Sequence, residues 1–289
     1  MSILPRDTVR NLVRAALAED IGGGDITTES VIPADVQVRA FIGAREPCVV
    51  AGLPLVEAVF AELDSGVTVA ALVREGAVVQ TDAHVCRLTG PARSILTGER
   101  TALNFLQRLS GIATLTREFV EAVASTKVKI LDTRKTTPTL RALEKYAVSV
   151  GGGENHRMGL FDVVMIKDNH RAILVRLGPK TLGDAVAAAR RLHPEAPIII
   201  EADTMAQVEE ALAAGADHIL LDNMTLDELC EAVELAAGRA KLEASGGIRL
   251  ANVADIAATG VDYISIGALT HSARAVDFSL ELVEHFPTE

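Results

Sequence analysis

The feature that most restricts the fold is a regular repeat of strand and helix patterns in the second half of the chain. The apolar, strand-like runs cover residues 198–200, 218–221, 241–244 and 263–266. The helical patterns between them cover residues 205–214, 226–237 and 250–259. Strand starts every 20 to 23 residues leave room only for parallel strands with crossover helices. This regularity favours a (β/α) barrel, although a doubly wound sheet also fits.

The first half of the chain has a different pattern and cannot belong to the same barrel. Short strand patterns separated by turn residues occur at 36–42, 48–51, 67–72, 77–79 and 84–89. The helical patterns lie at 2–20, 53–63 and 99–126, and Gly111 is expected to break the last of these into two helices. Further strands are predicted at 128–131 and 163–166, and a last helix at 275–284. These patterns predict an α/β protein with a separate N-terminal α+β module.

Composition excludes several classes of function. The chain has 289 residues and a net charge of −11, which argues against nucleic acid because binding a phosphate backbone needs a basic surface. No run reaches the roughly 18 apolar residues of a membrane helix, and the amphipathic pattern at 2–20 differs from a signal peptide. Cys48, Cys86 and Cys230 are widely spaced, as expected for reduced thiols. We therefore expect a soluble cytoplasmic protein.

Polar or glycine residues follow nearly every predicted barrel strand, where barrel enzymes place their active sites. They are Asp132, Lys167, Glu201, Asp222, Ser245-Gly246-Gly247 and Gly267. The glycine loops after the last two strands allow backbone N–H groups to approach an anion closely. They predict a phosphate site. Tight turns without a ligand are the alternative.

Positive charge is concentrated in one part of this acidic chain. Between residues 132 and 171 there are seven Lys and Arg residues against five acids. The loop motifs DTRKT at 132–136 and GGGENHR at 151–157 carry cations that can bind a carboxylate or a phosphate. Arg141 and Lys145, four residues apart, are instead expected on an exposed helix face. The cluster predicts a multiply anionic substrate.

Glu201 and Asp222 end neighbouring predicted strands, so their carboxylates can share Mg²⁺ with a diphosphate or bind ribose hydroxyls. Both roles remain open from the residues alone. No His and Cys spacing typical of zinc sites is present, and no GxSxG, Walker or GxGxxG motif has the required context.

Several motifs along the chain resemble the quinolinate phosphoribosyltransferases, the decarboxylating nicotinate-nucleotide pyrophosphorylases of NAD biosynthesis. The motifs are EDIGGGDITT at 19–28, ERTALN at 99–104, LSGIAT at 109–114, DTRKT at 132–136, KYA at 145–147, GGGENHR at 151–157, IKDNH at 166–170, LDN at 221–223, SGGI at 245–248 and IGALTHS at 266–272. The resemblance runs nearly end to end. It implies an N-terminal α/β sandwich of residues 1–112, joined by a C-terminal helix at 270–289, and an incomplete parallel (β/α) barrel of residues 113–269.

The resemblance also implies roles for individual residues. Arg134, His156, Arg157 and Lys167 would hold quinolinate, and Arg100 would reach it from the partner subunit of a homodimer. Lys135 would contact the pyrophosphate of phosphoribosyl pyrophosphate. Glu201 and Asp222 would bind the ribose and Mg²⁺. A phosphate would be framed by Ser245, Gly246, Gly247, Gly267 and His271. Lys135, Lys167, Glu201 and Asp222 would carry the catalysis.

One position departs from the family pattern, and three other functions stay open. An acid often stands two residues before Glu201, where this chain has Ile199, and little effect is expected because only Glu201 should reach the barrel rim. A sister transferase would use a monocarboxylate such as nicotinate. A Schiff-base enzyme would use Lys167 as its nucleophile. An effector-binding barrel would bind ligand without turnover.

Overall fold

The computed structural model describes residues 4–176, 178 and 181–286. In chain order, the helices are α1 (Arg6–Ile21), α2 (Ile26–Val31), α3 (Leu53–Leu63), α4 (Ala92–Ala122), α5 (Arg141–Gly151), α6 (Asp168–Arg176), α7 (Leu182–Leu192), α8 (Met205–Ala213), α9 (Leu226–Ala236), α10 (Val253–Ala258) and α11 (Ala268–His271). The strands are β1 (Gln37–Ala44), β2 (Cys48–Val49), β3 (Thr68–Ala71), β4 (Val78–Val79), β5 (His84–Pro91), β6 (Lys129–Leu131), β7 (Val164–Ile166), β8 (Ile198–Ala202), β9 (His218–Asp222), β10 (Lys241–Ser245), β11 (Tyr263–Ser265) and β12 (Phe278–Phe286).

The chain divides into two compact units. The first comprises residues 1–117, 137–152 and 272–289, and the second residues 118–136 and 153–271. These bounds differ from the expected domains mainly at α5, which lies with the first unit. The side chain of Arg108 on α4 donates to the buried carboxylate of Glu144 on α5 at 2.8 Å, so this helix is tied to the N-terminal part of the chain.

The first unit contains a four-stranded antiparallel sheet with the order β12-β1-β5-β3. Helix α1 packs against α3 through one apolar face, on which Val9, Val13 and Leu17 recur at four-residue spacing and are buried. Strand β1 shows the alternation of a strand with one covered face, since Val38, Ala40 and Ile42 are all buried.

The C-terminal helix expected at 275–284, and over 270–289 in the implied domain division, is wrong. Residues Phe278–Phe286 form strand β12, which pairs antiparallel with β1 and places Phe278 opposite Ala44 and Leu280 opposite Ile42. Phe278, Leu280 and Leu282 alternate with polar residues, which is a period-two pattern. Residues 278–286 form a strand because their backbone pairs with the edge of β1 that β5 does not cover. Residues 287–289 lie outside the described part.

Two helix predictions in the first unit also need correction. Helix α4 runs without interruption through Gly111, where a helix break was expected. A Cβ atom at Gly111 would lie 1.9 Å from the carbonyl oxygen of Arg274, so this glycine permits close packing. Lys145 was expected on an exposed face but is only 1% exposed. All positions from 143 to 148 are buried, so α5 has no open face there.

The second unit is a six-stranded parallel sheet with the order β6-β11-β10-β9-β8-β7. Its strands and the crossover helices α8, α9 and α10 follow the predicted repeat closely, and they confirm the parallel α/β architecture. Threonine side chains begin two of these helices: Thr204 caps α8, and Thr225 forms a reciprocal capping box with Glu228 on α9. Strands β6 and β7 are the edges of the sheet, as in a barrel left incomplete.

Helices α6 and α7 were not predicted. Helix α7 has a recognisable start signal, because Thr181 and Asp184 form a capping box at its N-terminus. None of the helices in the described residues is both long and apolar enough to cross a membrane.

Candidate active site

The carboxyl ends of the parallel strands surround a pocket of about 430 Å³ within the second unit. Eight of the residues predicted to bind or catalyse line this pocket: Arg134, Lys135, His156, Arg157, Lys167, Glu201, Asp222 and Ser245. Lys167 follows β7, while Glu201, Asp222 and Ser245 stand at the ends of β8, β9 and β10. The parallel topology therefore brings together side chains from stretches that are far apart in sequence.

The positive side of the pocket consists of crowded guanidinium groups. The Nε atom of Arg134 is buried and has no hydrogen-bond partner among the described residues. Burial and the nearby charge of Arg134 lower the pKa of Arg157, while Asp162 offsets part of the effect. A buried donor without an acceptor and two adjacent like charges both cost free energy. An anionic ligand would relieve both costs.

The loop that carries His156 and Arg157 is held by Asp132, which follows β6. Asp132 is fully buried, and its carboxylate accepts hydrogen bonds from Nδ2 of Asn155 and from the backbone N–H of His156, both at 2.8 Å. Asp132 therefore positions the backbone of this loop. It is not among the residues that line the pocket, so it is not the strand-end binding group that its position suggested.

The opposite side of the pocket is acidic. Lys167 Nζ donates to Glu201 Oε2 at 2.5 Å, so this lysine enters the pocket as half of an ion pair. Burial, and next the charge of Glu201, raise the pKa of Asp222, while Ser245, Lys167 and Lys135 act in the lowering direction. Two carboxylates that repel each other favour a bound cation or several hydroxyl donors between them.

Two glycine-containing loops adjoin residues that line the pocket, whereas Gly246, Gly247, Gly267 and His271 are not lining residues themselves. Gly246 has φ +92°, and a Cβ atom there would lie 2.1 Å from Oδ1 of Asn223, so only glycine fits this turn. A Cβ atom at Gly267 would lie 3.0 Å from Cδ of Lys135 and 3.1 Å from Nε2 of His271. The Lys135 stem and the His271 ring therefore lie against the Gly267 backbone. Gly247, at φ +64°, faces open space.

The residues present fit a magnesium ion that is bound mostly by substrate. No group of three or more His, Cys, Asp or Glu side chains that could hold a metal occurs among the described residues. Glu201 and Asp222 provide two carboxylates beside the glycine loops. Mg²⁺ commonly takes one or two protein carboxylates and fills its remaining positions with phosphate oxygens and water.

Some predictions concern residues outside this pocket, and some lining residues were not predicted. Arg100 is exposed on α4 in the first unit and does not line the pocket. Ile199 lines a different cavity of about 330 Å³, while Glu201, two residues later, lines the main pocket. Asp168 and Glu243 are charged residues of the main pocket that sequence reasoning missed. Asp168 directly follows the strand-end Lys167, whereas Glu243 lies inside the strand run 241–244 and carries no comparable signal.

The fold and the pocket define a parallel barrel-type enzyme whose site suits a small, multiply anionic ligand next to a phosphate. The family description "Quinolinate phosphoribosyl transferase, N-terminal domain" matches residues 25–110, and "Quinolinate phosphoribosyl transferase, C-terminal domain" matches residues 112–281. The chain belongs to the quinolinate phosphoribosyltransferase family.

Individual relatives agree with this assignment. The nicotinate-nucleotide pyrophosphorylase [carboxylating] of Mycobacterium leprae is 44% identical, with 96% of this chain and 98% of the relative covered. The mitochondrial quinolinate phosphoribosyltransferase [decarboxylating] 2a of Nicotiana tabacum is 41% identical, with 96% and 83% covered. The structure of the Francisella tularensis nicotinate-nucleotide pyrophosphorylase superposes with a TM-score of 0.90 at 40% identity, covering 97% of this chain and 98% of that one.

Proposed function

We propose that this protein transfers the phosphoribosyl group of phosphoribosyl pyrophosphate to quinolinate and releases CO₂, giving nicotinate mononucleotide and pyrophosphate. The observation that carries this proposal is the pocket itself. It combines a crowded guanidinium pair, two lysines and two repelling carboxylates in one cavity of about 430 Å³, and glycine loops adjoin its lining residues. The names of the relatives supply the reaction.

The two carboxylates of quinolinate match the positive side of the pocket. Arg134 and Arg157 would each form charge-assisted hydrogen bonds to a carboxylate, with His156 beside them and Lys167 at the boundary to the acidic side. The buried Nε atom of Arg134 would gain its missing acceptor. A monocarboxylate base leaves one of these cations unmatched, so the pocket favours the dianion.

The phosphoribosyl group fits the opposite side. We assign its 5-phosphate to the Ser245-Gly246-Gly247 and Gly267 loops with His271, because glycine lets backbone N–H groups reach an anion. Lys135, whose stem lies along Gly267, would contact the pyrophosphate. Glu201 and Asp222 would accept hydrogen bonds from the ribose hydroxyls.

The chemistry requires the pocket to orient two reactants and to balance charge. The pyridine nitrogen attacks the anomeric carbon, the carbon–oxygen bond to pyrophosphate breaks, and its electron pair leaves with pyrophosphate. Positive charge develops on the ribose in the transition state, where Glu201 and Asp222 would stabilise it electrostatically. Lys167 need not be a nucleophile, since it holds a charge pair with Glu201 at 2.5 Å.

The second step uses the charge that the first step creates. The carbon–carbon bond to the carboxylate next to the ring nitrogen breaks, its electron pair moves onto the pyridinium ring, and CO₂ departs. The ring carbon then takes a proton. The arginine that binds the second carboxylate would keep the ring in place during this step.

We include Mg²⁺ in the proposal, held by Glu201 and Asp222 together with substrate oxygens or through water. When bound, it would neutralise the charge of the pyrophosphate leaving group. We also propose a homodimer, or a higher homo-oligomer, in which Arg100 of the partner completes the quinolinate site. In support, Arg100 is an exposed cation outside its own chain's pocket. We further propose a cytoplasmic location, where Cys48, Cys86 and Cys230 stay reduced as they are here.

The test is direct. Purified protein is mixed with quinolinate, phosphoribosyl pyrophosphate and Mg²⁺, and released CO₂ and nicotinate mononucleotide are measured. Parallel reactions contain nicotinate in place of quinolinate, or EDTA in place of Mg²⁺. Turnover of quinolinate without turnover of nicotinate supports the proposal. Turnover of nicotinate with indifference to quinolinate would replace it with a sister transferase, and tight binding without turnover would indicate an effector-binding barrel.

A further inference from the structure

A buried carboxylate lies inside the second unit, where none of the roles described so far places a charge. Glu243 stands on β10 in the middle of the six-stranded sheet, and it is 0% exposed. Its Oε2 atom lies 3.0 Å from Nε2 of His218 and 3.4 Å from Nε2 of His156. The carboxylate therefore joins a residue that lines the main pocket to a second histidine near the start of β9.

The two neighbouring imidazoles favour the ionised form of this carboxylate. Burial alone would raise its pKa, but His156 and His218 outweigh burial and lower the pKa of Glu243 to about 2. A carboxylate buried in this way contributes little to stability compared with an apolar residue of similar size. Leu220, which pairs with Glu243 from the neighbouring strand β9, is apolar and buried, so an apolar residue is accommodated beside this position. A role in fixing geometry accounts better for the charge.

The geometry of His156 shows what Glu243 fixes. The backbone N–H of Arg157 donates to Nδ1 of His156 at 2.6 Å, so Nδ1 acts as an acceptor. The ring proton is then on Nε2, the nitrogen that faces Glu243 at 3.4 Å. The hydrogen bond at Nδ1 sets the tautomer, and it leaves the Nε2 proton beside the Glu243 carboxylate at 3.4 Å.

The ring in turn holds the backbone of a substrate-binding residue. The backbone N–H of His156 donates to Asp132 at 2.8 Å, and the next N–H along the chain, that of Arg157, donates to the His156 ring. Arg157 needs such support, because burial and the nearby charge of Arg134 disfavour its guanidinium at this place. A small rotation of the ring would release the Arg157 backbone and let the two cations separate.

We infer that Glu243 is a positioning residue for the quinolinate site, acting through the His156 ring on the backbone and guanidinium of Arg157. This inference rests on the proposed function, because it names what holds one wall of that same pocket. Although Glu243 lies at the pocket lining, its carboxylate is directed at the two imidazoles, with Oε2 3.0 Å from His218 and 3.4 Å from His156. Removing its charge should therefore change the binding of the dicarboxylate and leave the phosphoribosyl side of the pocket intact.

A purely structural role for Glu243 makes a different prediction. His218 shares the same Oε2 atom at 3.0 Å, and its ring lies against that of Tyr263 with the centroids 5.3 Å apart. If the Glu243–His218 pair only braced the barrel, replacing either residue would have the same effect. The inference requires an unequal result, since His156 lines the main pocket and His218 is not among its lining residues in the described part of the chain.

The experiment compares Glu243→Gln, His218→Gln and the unmutated protein under the conditions of the full reaction. For Glu243→Gln, KM for quinolinate should rise about tenfold or more, while KM for phosphoribosyl pyrophosphate stays within about twofold. For His218→Gln, both KM values should stay within about twofold, whatever happens to Tm. An unchanged quinolinate KM in Glu243→Gln, equal rises for both substrates, or equal rises in both variants would overturn the inference.

A second measurement needs no variant of Glu243. In the ¹⁵N spectrum of histidine-labelled, unmutated protein, assigned with His156→Asn, Nδ1 of His156 should have the shift of an unprotonated nitrogen and Nε2 that of a protonated one. The opposite tautomer would overturn the inference even if Glu243→Gln does not fold. Absence of quinolinate turnover in the unmutated protein would instead remove the proposed function, and this result is separate from the tautomer.

Discussion

Two arginine sites in this molecule use the same side chain in opposite ways. In the first unit, the fully buried carboxylate of Glu144 accepts hydrogen bonds from Arg108 at 2.8 Å and from the hydroxyl and the backbone N–H of Thr137 at 2.9 and 3.1 Å. In the pocket of the second unit, Arg134 has a buried Nε atom without a hydrogen-bond partner among the described residues, and it disfavours the charge of Arg157 nearby.

Arg108 stabilises the fold, whereas Arg134 is placed to bind an anionic ligand. Arg108 is matched within the protein, so its removal would leave a buried carboxylate without its cation. The buried Nε atom of Arg134 has no hydrogen-bond partner among the described residues. Removing this side chain should therefore not lower the free energy of unfolding measured without substrate. We expect substitution of Arg108 to lower stability and substitution of Arg134 to lower activity.

The largest expected effect is on stability, from Arg108→Ala. Breaking a buried ion pair from one side costs about 3–5 kcal/mol, because Glu144 stays buried and charged. Urea unfolding should register this loss in the free energy of unfolding. The matched control is Arg10→Ala, which removes an exposed pair with Glu62 at 3.2 Å and should cost no more than about 1 kcal/mol. Similar losses in the two variants would contradict the assignment.

The next largest effect is on activity, from Arg134→Ala. The quinolinate kcat/KM should fall by at least about two orders of magnitude, corresponding to roughly 3 kcal/mol for a buried bidentate contact. Tm should stay the same or rise, since one of two crowded cations is gone. Arg190→Ala, which removes an exposed pair with Asp217 at 2.9 Å, serves as the control and should keep normal kinetics. Near-normal kcat/KM in Arg134→Ala would remove the residue from the site.

The glycine loop offers a pair of adjacent substitutions that sharpens the comparison at the phosphate side. Gly246→Ala and Gly247→Ala both put a side chain at positive φ, but only the first drives Cβ to 2.1 Å from Asn223. We expect Gly246→Ala to be less stable than Gly247→Ala by about 1–2 kcal/mol in ligand-free protein. Chemical denaturation of both variants measures this. Equal stabilities would mean that Asn223 moves aside freely.

The smallest effect concerns Asp222, whose pKa is raised by burial and by the charge of Glu201. A carboxyl group whose pKa is raised in the folded state lowers the free energy of unfolding as the pH rises from its unfolded to its folded pKa. Ionised Asp222 beside Glu201 therefore destabilises the folded protein at neutral pH when no ligand is added. In EDTA at pH 8, Asp222→Asn should raise Tm by about 1–3 °C while activity is lost. The gain should shrink as the pH is lowered, because protonation of Asp222 removes its repulsion from Glu201. A lower Tm at pH 8 would contradict this.

Much of the second unit could be predicted because its signals are local. The apolar runs before Glu201, Asp222 and Ser245 are short, regularly spaced and followed by helices, and parallel topology then determines that their ends meet. The pocket-lining residues Arg134, Arg157 and Lys167 were found because cations in loops of an acidic chain are unusual.

The errors arose where distant contacts outweighed a local pattern. Phe278–Phe286 is short enough to suit either a helix or a strand, and the open edge of β1 made it a strand. Gly111 has the composition of a helix break, but the backbone at Arg274 needs its missing side chain. Lys145 has the spacing of an exposed residue and is nevertheless buried on α5.

The sequence by itself determined the order of the parallel strands in the barrel, the charge of the ligand to expect, and the family, because these depend on periodicity, composition and motifs. Only the tertiary structure decided which charges are matched. Glu144 and Glu243 are both buried carboxylates within regular elements, yet one meets Arg108 and the other lies between His156 and His218. The partner of a buried charge is set by packing across the fold, where neighbours in space are far apart in the chain.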